Sequence, residues 1–155
     1  MTPETGGTLV VQFGLNEATI QKRLQCYRIG KEDLRLLQDL KRSLGPKLPS
    51  VADAFYRHIE RYPEALRIIT DAGSSLERLK KTNPGYFAEI FRGEMDARYF
   101  ESRLIIGRIH ARIGLAPEWY FAAMSTYIDE IFPIVLRAYR FRPGKGVRAL
   151  AALQK

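Results

Sequence analysis

Cys26 is the only cysteine in the sequence, which excludes a disulfide framework, a cysteine-only zinc site and covalent cofactor attachment through Cys-x-x-Cys-His. With two histidines, a hydrolytic triad or a multi-histidine metal centre has little to draw on. No glycine-rich phosphate loop, internal repeat or low-complexity segment is present, and no alternation of apolar and polar residues reads as a strand. The longest clean apolar stretches, such as residues 119–124, fall far short of the roughly 20 residues that a membrane-spanning helix needs. The apolar patch Leu9-Val10-Val11 has no positive flank, the first basic residue being Lys22, and no small-residue cleavage site follows it. A cytoplasmic location without a membrane span is therefore expected.

The 155 residues are 46% hydrophobic and 27% charged, enough for one ordinary core and too apolar for a disordered chain. Against 17 Asp and Glu stand 25 Lys and Arg, a net charge of +8. Six of the cations (Arg137, Arg140, Arg142, Lys145, Arg148 and Lys155) follow Glu130 with no acid among them. Such a segment suits an acidic surface or nucleic acid, but it is more often a solvated helix face or linker, and no nucleic-acid partner is assigned.

Helical spacing dominates. After a start, residues 1–15, that is expected to be flexible, Asn16 caps a helix over 16–27 with Ile20, Leu24 and Tyr27 on one face. Residues 31–44 repeat leucine at 34, 37, 40 and 44 and stop at Gly45-Pro46. Ser50-Val51-Ala52-Asp53 has a capping-box pattern and opens a helix to about Tyr62, after which Pro63 starts a short one. Ser74 opens a longer helix to about Arg92, with a break expected at Asn83-Pro84-Gly85. Asp96 caps a helix through Arg112 that Gly114 ends, and Pro117 starts a long helix to about Phe141, bent at Pro133. Arg142-Pro143-Gly144 reads as a turn before a last helix carrying Val147, Leu150 and Leu153.

His110 is the informative polar residue. Ile106, Ile109, His110 and Ile113 fall at i, i+3, i+4 and i+7, which sets an imidazole in an otherwise apolar stripe. Such a residue is either a neutral core histidine bonded to a carbonyl or tyrosine, or a ligand. Tyr56, beside Phe55, either anchors packing or offers its hydroxyl to a pocket, and Trp119 and Tyr120 read equally as core aromatics. No enzyme motif emerges.

Two segments carry a more specific pattern. One runs from Arg78-Leu79-Lys80-Lys81-Thr82 to Phe91-Arg92-Gly93; the other is Gly107-x-x-His110-x-x-Ile113-Gly114-Leu115-x-Pro117-x-Trp119-Tyr120. Together with Phe55-Tyr56 they resemble the globin-coupled sensor family, and the resemblance extends over residues 16–155 in helix order. It implies an all-α, globin-like fold with an extra N-terminal helix and a shortened C/D region. It also implies a noncovalent b-type haem, with His110 as the proximal iron ligand and Tyr56 donating a hydrogen bond to bound oxygen. Thr82 matches a second distal polar position, and Leu79 the helix that covers the distal face. Phe55, Ile106, Ile113, Trp119 and Tyr120 are expected to line the pocket. The sequence departs from the family in having Phe121-Ala122-Ala123-Met124 after Trp-Tyr and in placing Pro84-Gly85 within the distal helix.

The resemblance further implies a sensor rather than an enzyme. Oxygen is the expected ligand, with carbon monoxide and nitric oxide as further gases, and the last two helices are expected to pair with a second chain. A homodimeric bundle of this kind would signal to an output domain that the sequence does not include. The alternatives are a haem-free helical interaction module of the same fold, or a haem enzyme such as a dioxygenase. His58 is a poor second ligand, because two residues along a helix turn it about 200° from Tyr56.

Overall fold

In a computed structural model, described over residues 8–155, helices follow one another with no strand among the described residues. They are α1 (Leu9–Gln12), α2 (Glu17–Cys26), α3 (Lys31–Leu44), α4 (Leu48–Ile59), α5 (Pro63–Asp71), α6 (Leu76–Ala88), α7 (Ala97–Arg112), α8 (Pro117–Ala138) and α9 (Pro143–Leu153). Short 3-10 turns, Gly45–Lys47 and Glu89–Arg92, precede α4 and follow α6. The fold is globin-like. Helices α1 and α2 precede its body, and only residues 72–75 separate the nine-residue α5 from α6.

Several helix ends follow directly from the sequence. The Asn16 side chain accepts from the Thr19 N–H and Thr19 Oγ1 accepts from the Asn16 N–H, closing a reciprocal cap. Asp96 accepts from the Tyr99 N–H at 2.9 Å, and Gly114, at φ +67°, ends α7 in the left-handed conformation that glycine adopts without strain. Other ends move. Helix α4 begins at Leu48, with Pro49 in its first turn, and the Ser50 hydroxyl turns back to the Lys47 carbonyl instead of capping. Helix α3 does end at Leu44 as expected, with Gly45-Pro46 continuing the chain as a 3-10 turn. Ser75, not Ser74, caps α6 by accepting from the Arg78 N–H. Pro143 is the first residue of α9 rather than part of a turn.

Pro84 does not break α6, which runs continuously through it. A proline removes one backbone donor, but Asn83 and Phe87 are fixed from both sides of it by the core, and this packing outweighs the lost bond. Tyr27 lies beyond the end of α2 and is 62% exposed. Arg28 takes a left-handed conformation (φ 57°), so the chain turns and Ile29 packs beside Ile20 and Leu24 in its place. Residues 1–7 of the segment expected to be flexible lie outside the described residues. Within the rest of it, Leu9 is buried, and the N–H groups of Leu9 and Val10 both donate to the Glu101 carboxylate, at 2.9 and 2.7 Å.

The main core joins α3, α4, α6, α8 and α9 around Leu37, Leu40, Leu44, Phe91 and Val135, all fully buried. At about 25 cal/mol per Å², each large side chain contributes roughly 1.5–3 kcal/mol. A second cluster sets Leu15, Ile20 and Leu24 against Phe100 and Leu104 of α7. The basic C-terminal segment is engaged by the acidic face of α3: Lys145 pairs with Asp39 at 2.6 Å, Arg148 with Glu32 at 3.3 Å and Lys155 with Asp33 at 2.6 Å. Although partial burial alone raises the Asp33 pKa, the Gly30 N–H and Lys155 together hold it below the ordinary carboxylate value. Among the described residues no helix is long and apolar enough to cross a membrane.

Candidate haem site

Helix α7 is unusual in burying none of its residues, although Leu104, Ile105, Ile106 and Ile109 all lie on it. Among the described helices its one extended backbone contact is with α1; neither α4 nor α6 approaches it closely along its length. Ile109 remains 37% exposed, while Ile106, His110 and Ile113 are half-buried. This leaves an apolar helix face standing apart from the main core. The His110 imidazole makes no hydrogen bond to any described residue, although its backbone carbonyl accepts from the Leu115 N–H. Burial pushes its pKa below the ordinary histidine value, which favours the neutral imidazole, the form that can ligate a metal. Tyr120, at the start of α8, is its aromatic neighbour, with ring centroids 6.0 Å apart.

Tyr56 is buried on α4 beneath α6. Its hydroxyl oxygen accepts from Asn83 Nδ2 at 2.6 Å, and the Tyr127 hydroxyl donates to Asn83 Oδ1 at 3.0 Å. An asparagine thus bridges two tyrosines from three helices. Because the Tyr56 oxygen is the acceptor in this network, its own proton is left to donate elsewhere. Burial raises the Tyr56 pKa, only partly offset by the Asn83 bond, so the phenol stays protonated. Phe55 packs edge-on to Tyr56 at 4.8 Å and against Tyr127 at 4.6 Å, which fixes the ring positions.

Leu79, Thr82 and Tyr86 fall at i, i+3 and i+7 along one face of α6. The Tyr86 ring lies 3.8 Å beneath the Arg103 guanidinium of α7, so this face looks across to α7. Leu79 packs against the core, whereas Thr82 is exposed and its hydroxyl turns back to the Arg78 carbonyl at 3.1 Å. The Thr82 hydroxyl bonds to backbone carbonyls of its own helix, and it is Asn83 that bonds to Tyr56. Trp119 packs edge-on to Tyr62 at 5.7 Å, leaving Tyr120 as the aromatic of that pair beside His110. His58 rests on Tyr62, in line with its turn away from Tyr56.

The donor set suits a haem. It comprises one neutral imidazole without a hydrogen bond, a buried tyrosine on α4 with its proton left to donate and apolar helix surface, with no group of three or more metal-binding side chains among the described residues that would favour another metal centre. Compared with known proteins, residues 16–155 match the family model described as Protoglobin. The chain belongs to the protoglobin family. This protoglobin is 32% identical over 126 residues to the heme-based aerotactic transducer HemAT of Halobacterium salinarum, a match covering 79% of the chain and 25% of the relative. The chain therefore spans about a quarter of that relative's length. Its fold resembles the globin domain of the Geobacter sulfurreducens globin-coupled sensor, with a TM-score of 0.78, 26% identity, and coverage of 86% of this chain and 87% of that one.

Three residues beside the candidate site escape a reading of the sequence: Asn83, Tyr127 and Arg103. Tyr127 leads the stripe Tyr127, Ile131, Val135 at i, i+4 and i+8, the same signal of a polar group in an apolar row that singles out His110. Arg103 stands seven residues before His110 on its face. Asn83 is masked by the adjoining Pro84, which suggests a break where the helix in fact continues.

Proposed function

We propose that this protoglobin is a gas-sensing domain that holds a b-type haem between α6 and α7, with His110 as the proximal ligand and Tyr56 as the distal donor. The observation that carries the reading is the His110 imidazole, neutral and without a hydrogen-bond partner on an apolar face apart from the core. The names of its relatives, a heme-based aerotactic transducer and a globin-coupled sensor, support the same reading. When bound, a ferrous haem would supply the iron at which a diatomic gas binds.

The residues of the chain then act as follows. His110 holds the group on its proximal side, and Ile106 and Ile113 keep water from it. Tyr56, with its oxygen engaged by Asn83, directs its hydroxyl proton toward the gas. Oxygen, the more polar ligand, gains more from that bond than carbon monoxide does. Tyr120, beside His110 at the start of α8, carries a shift of the imidazole into the long helix. Phe121, Leu136 and Val147 are exposed apolar residues on α8 and α9 and support a homodimer through these helices, which would pass the signal to an output domain. Val147 faces outward, while Leu150 lies in the core of its own chain. The site has no hydrolytic or group-transfer constellation, and the role proposed is that of a cytoplasmic sensor. Absorption spectra of the purified protein, oxidised, reduced and oxygenated, test the reading: a Soret band that moves between the three states supports it. A chain that forms no such band with added haem is instead a haem-free helical module.

A further inference from the structure

Among the described residues Arg103 is a cation with no anion. Its guanidinium is stacked on Tyr86 at 3.8 Å and lies 4.6 Å from the Tyr99 ring centroid, and Nη2 donates to the Tyr86 carbonyl at 3.0 Å. Nε and Nη1 are fully buried and have no acceptor. Among the described residues no carboxylate pairs with it: Glu101 accepts from α1, and both Glu89 and Glu94 are bound to Arg92. Buried charge with unmet donors is costly and persists where something compensates it. Arg103 lies on the His110 face of α7, seven residues and about 10 Å along the helix from it, with its guanidinium against α6. It thus sits at the edge of the proposed site, while His110 lies at the centre. A haem carries its carboxylates at its edge.

We propose that Arg103 is the carboxylate partner of the cofactor, its Nε–H and Nη1–H donating to a haem propionate and so setting the rotational orientation and retention of the group. The proposal rests on the haem reading above. The test compares iron protoporphyrin IX with its dimethyl ester, which has the same ring and iron but no carboxylate charge. Wild type, Arg103→Leu and Arg103→Lys are reconstituted with each, and haem loss to excess apomyoglobin is followed at the Soret band. With the free acid, Arg103→Leu loses haem about 10- to 100-fold faster than wild type, as the removal of a charge-assisted bond predicts, and Arg103→Lys falls between them. With the diester the three proteins lose the porphyrin at equal rates. If Arg103→Leu accelerates loss of both porphyrins equally, or of neither, the assignment is overturned and the haem reading stands. A wild-type chain that binds neither porphyrin overturns both.

Discussion

Replacing Tyr56 by Phe removes one oxygen atom and leaves the ring against Phe55 in place, so its two consequences can be calculated separately. The first concerns the gas. A phenol donating to a partly charged acceptor contributes about 1.5–3 kcal/mol, which is roughly a 10- to 100-fold change in affinity. Affinity changes of this kind fall mainly on dissociation, so oxygen should leave about 10- to 100-fold faster, with carbon monoxide release changed several-fold less. The second concerns the fold. Asn83 Nδ2 loses its 2.6 Å acceptor within a partly buried network, which costs about 1–3 kcal/mol. For a chain of this size each kcal/mol lowers the melting temperature by roughly 2–4 °C. Stopped-flow release of both gases and calorimetry of the haem-free protein measure the two effects. Equal acceleration for the two gases would refute the hydrogen-bond argument in favour of a steric one, and an unchanged oxygen rate would transfer the donor role to another group.

Asn83→Ala should lower the melting temperature and couple to Tyr56→Phe, because both changes act on one network. A double-mutant cycle should show a coupling of about 0.5–3 kcal/mol, and simple additivity would separate the two residues. Gly93, at φ +69°, ends the 3-10 turn after α6, and a Cβ there would lie 2.6 Å from the Leu34 carbonyl oxygen. Gly93→Ala should therefore cost more than the roughly 1–2 kcal/mol of the left-handed backbone alone, read by denaturant unfolding. His110 in the haem-free protein should titrate below 6.5 by proton NMR, since burial disfavours its charged form. The unfolded chain then binds the proton first on acidification, so the stability contributed by neutral His110 is complete above about 6.5 and is lost as pH falls through the folded value. A midpoint above 6.5 would contradict the burial assigned to it.

What could be read from the sequence was what local chemistry decides. The caps Asn16 and Asp96 and the leucine rows of α3 depend on neighbours within a turn or two, and they stand as expected. The start of α4 and the continuity of α6 through Pro84 are settled by packing between helices that are distant in sequence. The same division runs through the site. His110 is conspicuous as the polar member of an apolar stripe, and Tyr56 is singled out by resemblance. That Tyr56 is held by Asn83, and Asn83 by Tyr127, depends on contacts spanning 27 and 44 residues, which no periodicity records. Arg103 looks like any solvated cation until its buried nitrogens are found without acceptors.

The most direct test of the central claim is a haem titration of three purified proteins, wild type, His58→Ala and His110→Ala, followed at the Soret band with folding checked by circular dichroism. Wild type and His58→Ala should saturate at one haem per chain, while His110→Ala should stay folded and fail to retain the haem. Retention by His110→Ala with wild-type affinity, or loss of binding in His58→Ala alone, would contradict the assignment of α7 as the proximal helix.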